Sequence, residues 1–350
     1  MVKKLGAYLL LLMTCSLFLL GAAENPVVKL NFFPISTYSP SNNSWLLGMS
    51  NSGTLSIKSK NSGNVRGEIA LTYPAATAED YIQRAFLKAR FPSFRLTLGK
   101  TRLSWGEGAL FNAGDVLFGS SDIAVDLTQE ELRTKTDWLV SVNIPLDAFS
   151  FIEVVTMPPS DGNLEKTSFG GRFYTTIEGL KVEGGYASIE RSNVRTQKPY
   201  VSVQGNMGAD WYLGTSLSIP QTGNTTWDIS GGLFYLKYLQ ESKSLSVRLE
   251  FLARPLGTWA FGPVANDNSC ALLIYPEIVY AATSSVSFSL RSIFSPLDLS
   301  AMTTFATSWN VFEGFTLAGY LSTNLGDTGD LFVWNSLYAL TFSVGASWIF

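Results

Sequence analysis

The chain has 350 residues, of which 46% are hydrophobic and only 15% carry a charge, and it contains no histidine. The share of charge is well below the quarter or so of an average soluble domain. The formal net charge of −3 is mild and argues against a nucleic-acid partner. Without histidine, neither a Ser-His-Asp or Cys-His nucleophile nor a histidine-ligated metal site can form. We therefore expect no enzyme and no cofactor, although a carboxylate pair could still perform acid–base chemistry.

The chain begins with a predicted export signal. Lys3 and Lys4 precede an uncharged, mostly apolar run over 5–20, and a glycine and two alanines follow it. This is the order of a cleavable signal peptide. An uncleaved helical anchor is the alternative, because the run approaches the length that spans a bilayer. The polar residues that come next favour cleavage, so we predict a signal peptide at 1–23 and a mature chain at 24–350.

From Thr54 onward, short segments alternate between apolar and polar residues, with turn residues between them. Clear examples lie at 138–144, 211–219, 244–253 and 286–290. A soluble sandwich would show the same alternation with its apolar face inward. Segments of about ten residues match a tilted bilayer crossing, and the polar faces carry Gly, Ser and Thr with isolated charges. The mature sequence has no apolar run long enough for a spanning helix, and only helices and closed barrels satisfy the backbone in lipid.

We therefore predict an all-β fold, a transmembrane antiparallel β-barrel of about 16 strands within a range of 14 to 18. An even number is usual for bacterial single-chain barrels. About 20 to 30 residues of the mature chain precede the first strand in this interpretation. No shift in composition marks a second domain, so we expect one barrel over 24–350.

One long connection interrupts the series of alternating segments. The segment from Leu103 to Leu132 has no lysine or arginine, and it is long enough that a compact fold would use it for function or leave it disordered. Its acidic residues are Glu107, Asp115, Asp122, Asp126, Glu130 and Glu131. Its apolar residues give it something to bury, so we expect it to be ordered. We predict that Trp105 and Phe111 anchor the segment, with Gly106 and Gly108 permitting a sharp entry.

Basic residues flank this acidic segment on the neighbouring strands. Arg84, Lys88 and Arg90 share one face, and Arg95 lies on the next strand. A charge on the lipid face near the midplane costs a few kcal/mol, so these side chains should point into the lumen. The arrangement resembles the constriction of general porins, in which an inward-folded loop narrows the channel. The alternative is an extracellular loop whose acids meet only water. The predicted constriction consists of Glu107, Asp115, Arg84, Lys88, Arg90 and Arg95.

A short motif in the same region is similar to one found in several porin-like outer-membrane families. It comprises Gly99-Lys100, then Trp105-Gly106-Glu107-Gly108, then Asn112 and Asp115. The resemblance covers about 17 residues. Those families often have proline between the Asn and the Asp, where this chain has Ala113-Gly114. That departure leaves the course of the loop open.

The last strand alternates strictly and ends on an aromatic residue. From Leu340 every second residue is apolar, through Trp348 to the terminal Phe350. This resembles the terminal strand of bacterial outer-membrane β-barrels, which commonly ends in Phe and carries the assembly signal. The resemblance implies that Phe350 and Trp348 form such a signal, and that the barrel-assembly machinery and outer-membrane lipid are partners. An ordinary amphipathic strand that ends in Phe is the alternative.

These patterns predict a passive outer-membrane channel for small solutes. One alternative is a barrel that transports hydrophobic ligands, which Phe234 and Leu236 allow locally because they lie on the face opposite Trp227 and Ile229. A closed barrel acting as a surface adhesin through its loops is another. The sequence leaves the solute and the oligomeric state open.

Overall fold

The computed structural model describes residues 24–59, 63–75, 80–120, 126–129, 131–159, 161–240, 242–256, 271–334 and 339–350. The predicted signal peptide at 1–23 lies outside these ranges, as do Asp122 and Glu130 of the acidic segment. No helix among the described residues is both long and apolar enough to cross a membrane.

Eighteen β-strands lie within the described ranges, separated by turns and by two single turns of 3-10 helix at Pro40–Asn42 and Leu164–Lys166. The strands are β1 (Val27–Ser39), β2 (Ser44–Lys58), β3 (Val65–Tyr73), β4 (Ile82–Arg90), β5 (Arg95–Thr101), β6 (Asp137–Pro145), β7 (Phe151–Met157), β8 (Ser168–Ile177), β9 (Leu180–Arg191), β10 (Val194–Asn206), β11 (Asp210–Pro220), β12 (Thr226–Gln240), β13 (Lys243–Leu256), β14 (Ala271–Ala281), β15 (Val286–Ser295), β16 (Ser300–Phe312), β17 (Phe315–Leu325) and β18 (Leu340–Ile349).

The strands form one closed antiparallel barrel. Each strand pairs with the strands before and after it in sequence, and β18 pairs with β1. The closing register runs from Lys29 opposite Ile349 to Tyr38 opposite Leu340. Closure leaves no strand at the edge of the sheet, so the backbone groups of each strand find partners within the barrel. The prediction of an antiparallel barrel is confirmed.

The predicted number of about 16 strands is wrong by two, although 18 lies at the limit of the predicted range. The first strand begins at Val27, earlier than the 20 to 30 residues that were expected to precede it, and the series recognised from Thr54 onward begins only within β2. In the β1–β2 hairpin the consecutive apolar residues Phe32-Phe33 and Leu46-Leu47 interrupt the apolar–polar alternation. Pro34 and Gly48 are of residue types that are depleted in strands. Pro34 has no N–H to donate, but its carbonyl oxygen accepts a hydrogen bond from Ser343 at 2.6 Å.

Polar residues face the inside of the barrel and apolar residues the outside. In β13, Leu249 is 47% exposed, whereas its neighbour Glu250 is 1% exposed. The register carries the same division to β14, where the buried Tyr275 lies opposite Glu250. Exposed leucine, valine and phenylalanine side chains recur on the outer face of most strands. A continuous apolar exterior of this kind is the surface that a lipid bilayer covers.

The two ends of the barrel differ in the length of their connections. The β8–β9, β10–β11 and β16–β17 turns occupy residues 178–179, 207–209 and 313–314, at the end where both termini lie. The opposite end carries the β7–β8 connection at 158–167 and the longest connection described, residues 102–136 between β5 and β6. We refer to residues 102–136 as the inward loop.

Candidate functional site

The inward loop turns into the barrel and lies on the inner face of the wall between β6 and β15. Its apolar side chains are almost inaccessible to solvent; they are Trp105, Leu110, Phe111, Val116 and Leu117. One group of them packs with Val155 and Tyr200, and the other packs with Leu252 and Tyr275. The apolar content of the loop therefore forms a small core inside the lumen, which holds the loop against one side of the barrel.

Trp105 fills a position on this wall that is shaped to receive it. Its indole N–H donates to the Glu153 carboxylate at 2.9 Å, and its ring stacks on Tyr200 with 5.8 Å between centroids. Gly170 lies beneath the ring, and a Cβ added there would lie 2.9 Å from the Trp105 ring. The wall thus supplies a hydrogen-bond acceptor for the indole N–H and an apolar surface for its ring.

Carboxylates of the wall accept hydrogen bonds from the loop backbone. Glu250 accepts from the N–H groups of Ala109 at 2.7 Å, Leu110 at 2.9 Å and Phe111 at 2.9 Å. Glu183 accepts from the N–H of Gly106. Buried N–H groups need acceptors, and a charged acceptor makes the stronger bond. Sequence reasoning missed these acids, although each is an isolated charge on the polar face of an alternating strand.

Arginines balance the negative charge of this wall. Arg172 bridges Glu153 and Glu183, with 2.8 Å between the charged atoms in each pair. Arg248 contacts Glu250 at 3.2 Å and Glu277 at 3.3 Å. Each buried acid that holds the loop therefore has a cation beside it, which reduces the cost of desolvating the carboxylate.

Asp115 is fully buried and ties the loop to its own flanks. Its carboxylate pairs with Arg102 and, at 2.6 Å, with Arg133. It also accepts from the Phe118 N–H at 3.1 Å. Arg133 additionally donates to the Leu110 carbonyl at 3.0 Å. The start and the end of the loop therefore meet at Asp115, which lies away from open solvent.

Gly106 and Gly108 lie where the loop changes direction. Their φ angles are +66° and +133°, values that residues with a Cβ rarely adopt. A Cβ on Gly106 would lie 2.8 Å from the Cα of Gly114, and one on Gly108 would lie 2.8 Å from the Tyr212 hydroxyl. Glu107 lies between these two closely packed glycines, so the backbone on both sides of it is held in place.

The four basic residues of the predicted constriction occupy different heights of the lumen. Arg84 pairs with Glu131 of the loop at 2.8 Å. Lys88 lies 5.1 Å from the centre of the Phe86 ring. Arg90 and Arg95 face each other across the β4–β5 register, beside the turn at the end where the termini lie. The structure thus brings Arg84 to the loop, and places Arg90 and Arg95 near the opposite end of the barrel.

Two cavities adjoin the loop in the described part of the chain. One has a volume of about 370 Å³ and is lined by Lys181, Gln204 and Phe234, among others. The second, of about 300 Å³, is lined by Arg102 and Arg133, among others. Glu107 and Gly108 line both cavities. Glu107 therefore lies where the two cavities adjoin.

The Glu107 carboxyl is held from one side by Gln204. With its amide oriented by its neighbours, Gln204 donates to Glu107 at 2.6 Å and accepts from the Lys181 ammonium at 2.6 Å. Desolvation raises the pKa of the Glu107 carboxyl, and the positive charge of Lys181 opposes that shift. The Glu107 carboxyl therefore gains its proton at a higher pH than an ordinary glutamate does.

The last strand is tied to the first at its terminal residue. The Phe350 N–H donates to the Val28 carbonyl at 3.0 Å, and the Phe350 carbonyl accepts from the Val28 N–H at 2.8 Å. The Trp348 and Phe350 rings meet edge to face, with 5.6 Å between centroids, and both are exposed. Both residues of the predicted assembly signal therefore lie on the outer surface at the closing seam.

Comparison with solved structures identifies the fold. OccK3 of Pseudomonas aeruginosa has a TM-score of 0.55 and 8% identity, over 93% of this chain and 95% of that chain. OccAB3 of Acinetobacter baumannii has a TM-score of 0.54 and 11% identity, over 94% and 99%. Salmonella typhi OmpF in complex with daunomycin has a TM-score of 0.51 and 11% identity, over 93% and 97%. The chain has the fold of outer-membrane porins.

At identities of 8 to 11%, this likeness concerns the porin fold alone. No protein-family model matches the chain, and no curated protein matches it. The porin fold accounts for the closed barrel, whereas a role for individual side chains has to come from the contacts in this lumen.

Proposed function

We propose that the chain is a passive outer-membrane channel for small solutes, with Glu107 at its constriction. The observation that carries this proposal is the position of the inward loop, which lies within the lumen and leaves a cavity on each side of Glu107. A solute that moves from one cavity to the other passes this carboxylate. The mechanism is diffusion through a wet pore, whose loop sets the size limit and whose charges set the ion preference.

The lining of the barrel supports a wet pore over a conduit for hydrophobic ligands. Glu107, Lys181 and Asp210 are exposed charged residues that line the larger cavity. Phe234, which the sequence suggested as an apolar lining residue, lies 4.8 Å from the Arg248 guanidinium, which covers its ring. An apolar ligand would have to displace that cation. The outward apolar surface, the predicted signal peptide and the porin fold together favour placement in the outer membrane.

Single-channel recording in a planar bilayer tests this proposal. We expect the purified protein to give stepwise conductance with a preference for cations, because an acid lies at the constriction. Glu107→Gln should shift the reversal potential in a salt gradient toward anions. Glu313→Gln, which neutralises an exposed acid in the β16–β17 turn, is the matched control and should leave the reversal potential unchanged. A barrel that inserts and carries no current would instead support the adhesin alternative.

A further inference from the structure

The larger cavity lies below the loop, toward the end of the barrel where the termini lie. It reaches Gly179 and Asn206, which belong to or adjoin the short turns at that end. Its volume of about 370 Å³ is within the range of small-molecule sites. Three acids and two bases line it; they are Glu107, Asp210, Glu250, Lys181 and Arg248.

Three of these charged groups already have partners in the wall, the loop or a turn. The Glu250 carboxylate is occupied by three loop N–H groups and by Arg248. Arg248 also pairs with Glu277 at 3.3 Å. Asp210 accepts from Asn206 at 2.7 Å within the β10–β11 turn. Glu107 and Lys181 remain, and both are exposed toward the cavity.

Glu107 and Lys181 present opposite charges on the two sides of Gln204. The Gln204 amide lies between them, donating to the carboxylate and accepting from the ammonium at 2.6 Å each. One amide group therefore bridges the two charges. Each retains capacity for a further charged partner, because a carboxylate has two oxygens and an ammonium has three N–H donors.

Aromatic groups form another part of the wall of this cavity. Phe234 and Tyr212 both line it, and the Tyr212 hydroxyl donates to the Phe111 carbonyl at 2.7 Å, which fixes the ring. Lys181 would attract an anionic solute, but Glu107 would repel it. Glu107 would attract a cationic solute, but Lys181 would repel it. A solute with both charges can satisfy both groups at once, while its apolar side chain rests on the Tyr212 ring, because Arg248 covers the ring of Phe234.

We propose that this cavity is a binding subsite for small zwitterions of the free amino-acid class, with the solute ammonium at Glu107 and its carboxylate at Lys181. The proposal rests on the proposed channel function and specifies which solutes the channel holds below its constriction. Binding there would slow such a solute in passage and raise its local concentration beside Glu107.

Three probes of similar size and different charge test the proposal. Phenylalanine carries both charges, phenylacetate carries only the negative charge, and phenethylamine carries only the positive charge. Current fluctuations of the open channel report binding as each probe is added at rising concentration. We expect phenylalanine to interrupt the current at concentrations about tenfold lower than either singly charged probe, since it makes one more charge-assisted contact.

The variants separate the two charges. Glu107→Gln and Lys181→Met should each raise the half-maximal phenylalanine concentration about tenfold, whereas Glu313→Gln should not change it. The double exchange Glu107→Lys with Lys181→Glu should recover part of the interaction, with the solute reversed. Equal interaction with phenylacetate and phenylalanine, dependent on Lys181 alone, would overturn the proposal in favour of an anion site.

The channel function and the subsite can fail separately. Normal conductance without any response to phenylalanine would overturn the subsite and leave the channel proposal intact. If the folded barrel carries no current, calorimetric titration of the detergent-folded protein with phenylalanine still decides whether the cavity binds it. Heat of binding that disappears in Lys181→Met would support the subsite in that case, and its absence from the unaltered protein would overturn it.

Discussion

The Glu250 carboxylate accepts a hydrogen bond from the backbone N–H of Phe111 at 2.9 Å, across 139 positions of sequence. The same carboxylate accepts from the two preceding loop N–H groups, so one side chain of the wall holds three consecutive residues of the loop. The sequence predicted an acidic loop opposite basic strands. The structure instead holds much of the loop against a wall whose buried acids face loop amides.

We expect Glu250→Gln to release part of the inward loop. The amide has one acceptor oxygen in place of two, and its NH₂ group would face donors, so at least one buried N–H would lose its partner at a cost of about 1–3 kcal/mol. Heating unfolds a barrel and changes its mobility on a gel, and we call the temperature of this change the gel transition. In Glu250→Gln the gel transition should move to lower temperature, and the open-channel current should become noisier. Glu313→Gln is the control. An unchanged transition and an unchanged current would mean that Glu250 does not hold the loop.

The two acids proposed for the constriction should behave differently when neutralised. Glu107→Gln should shift the reversal potential toward anions and leave the gel transition in place, because Glu107 is exposed to both cavities. Asp115→Asn should destabilise the loop by about 1–3 kcal/mol, because it removes the buried anion that pairs with Arg102 and Arg133. Comparing reversal potentials with gel transitions for both variants separates the roles. Identical behaviour of the two would contradict this assignment.

The cation preference of the channel should depend on pH through Glu107. Desolvation raises the pKa of this carboxyl, so it gains its proton at a higher pH than an ordinary glutamate does. The preference for cations should be complete well above the raised pKa and should be lost as the pH falls through it. Reversal potentials recorded at falling pH measure the change. Glu107→Gln should abolish this titration, and its persistence in the variant would assign it to another group.

Adjacent glycines on β8 offer a matched test of the Trp105 site. A Cβ on Gly170 would lie 2.9 Å from the Trp105 ring, whereas a Cβ on Gly171 would meet its nearest atom at an ordinary 3.6 Å. Gly170→Ala should therefore displace the ring and cost about 1–3 kcal/mol, as overpacking does. Gly171→Ala should be close to neutral. Tryptophan fluorescence and the gel transition of both variants provide the measurement, and equal effects would contradict the packing argument.

Phe350 can act through its ring or through its backbone, and two variants distinguish these roles. Deleting Phe350 removes the ring and both hydrogen bonds to Val28, whereas Phe350→Ala removes the ring and keeps the backbone. If the ring belongs to an assembly signal, both changes should lower the folded fraction in the outer membrane without blocking export. A loss confined to the deletion would assign the effect to barrel closure. Unchanged folding in both would exclude any role for this residue in assembly.

The sequence by itself determined the class of fold. Alternation with a period of two is a local property, so the segments at 211–219 and 244–253 were recognisable as strands with one polar and one apolar face. Low charge and the absence of a spanning helix then selected a barrel with its apolar face outward. The same rule failed for the β1–β2 hairpin, because the consecutive apolar residues Phe32-Phe33 and Leu46-Leu47 break the alternation. Pairing with β18 on one side and β3 on the other fixes this hairpin in place.

The tertiary structure alone decided what the inward loop touches. The loop was visible in the sequence as a long interruption with aromatic anchors, and Trp105 and Phe111 are both buried in the lumen. Their partners Glu153 and Glu250 lie 48 and 139 positions from the residues that they hold. No local pattern encodes such a separation, because the curvature of the closed barrel and the register of its strands bring these atoms together. Only the closed barrel therefore shows that the acids Glu153 and Glu250 of the wall face the loop.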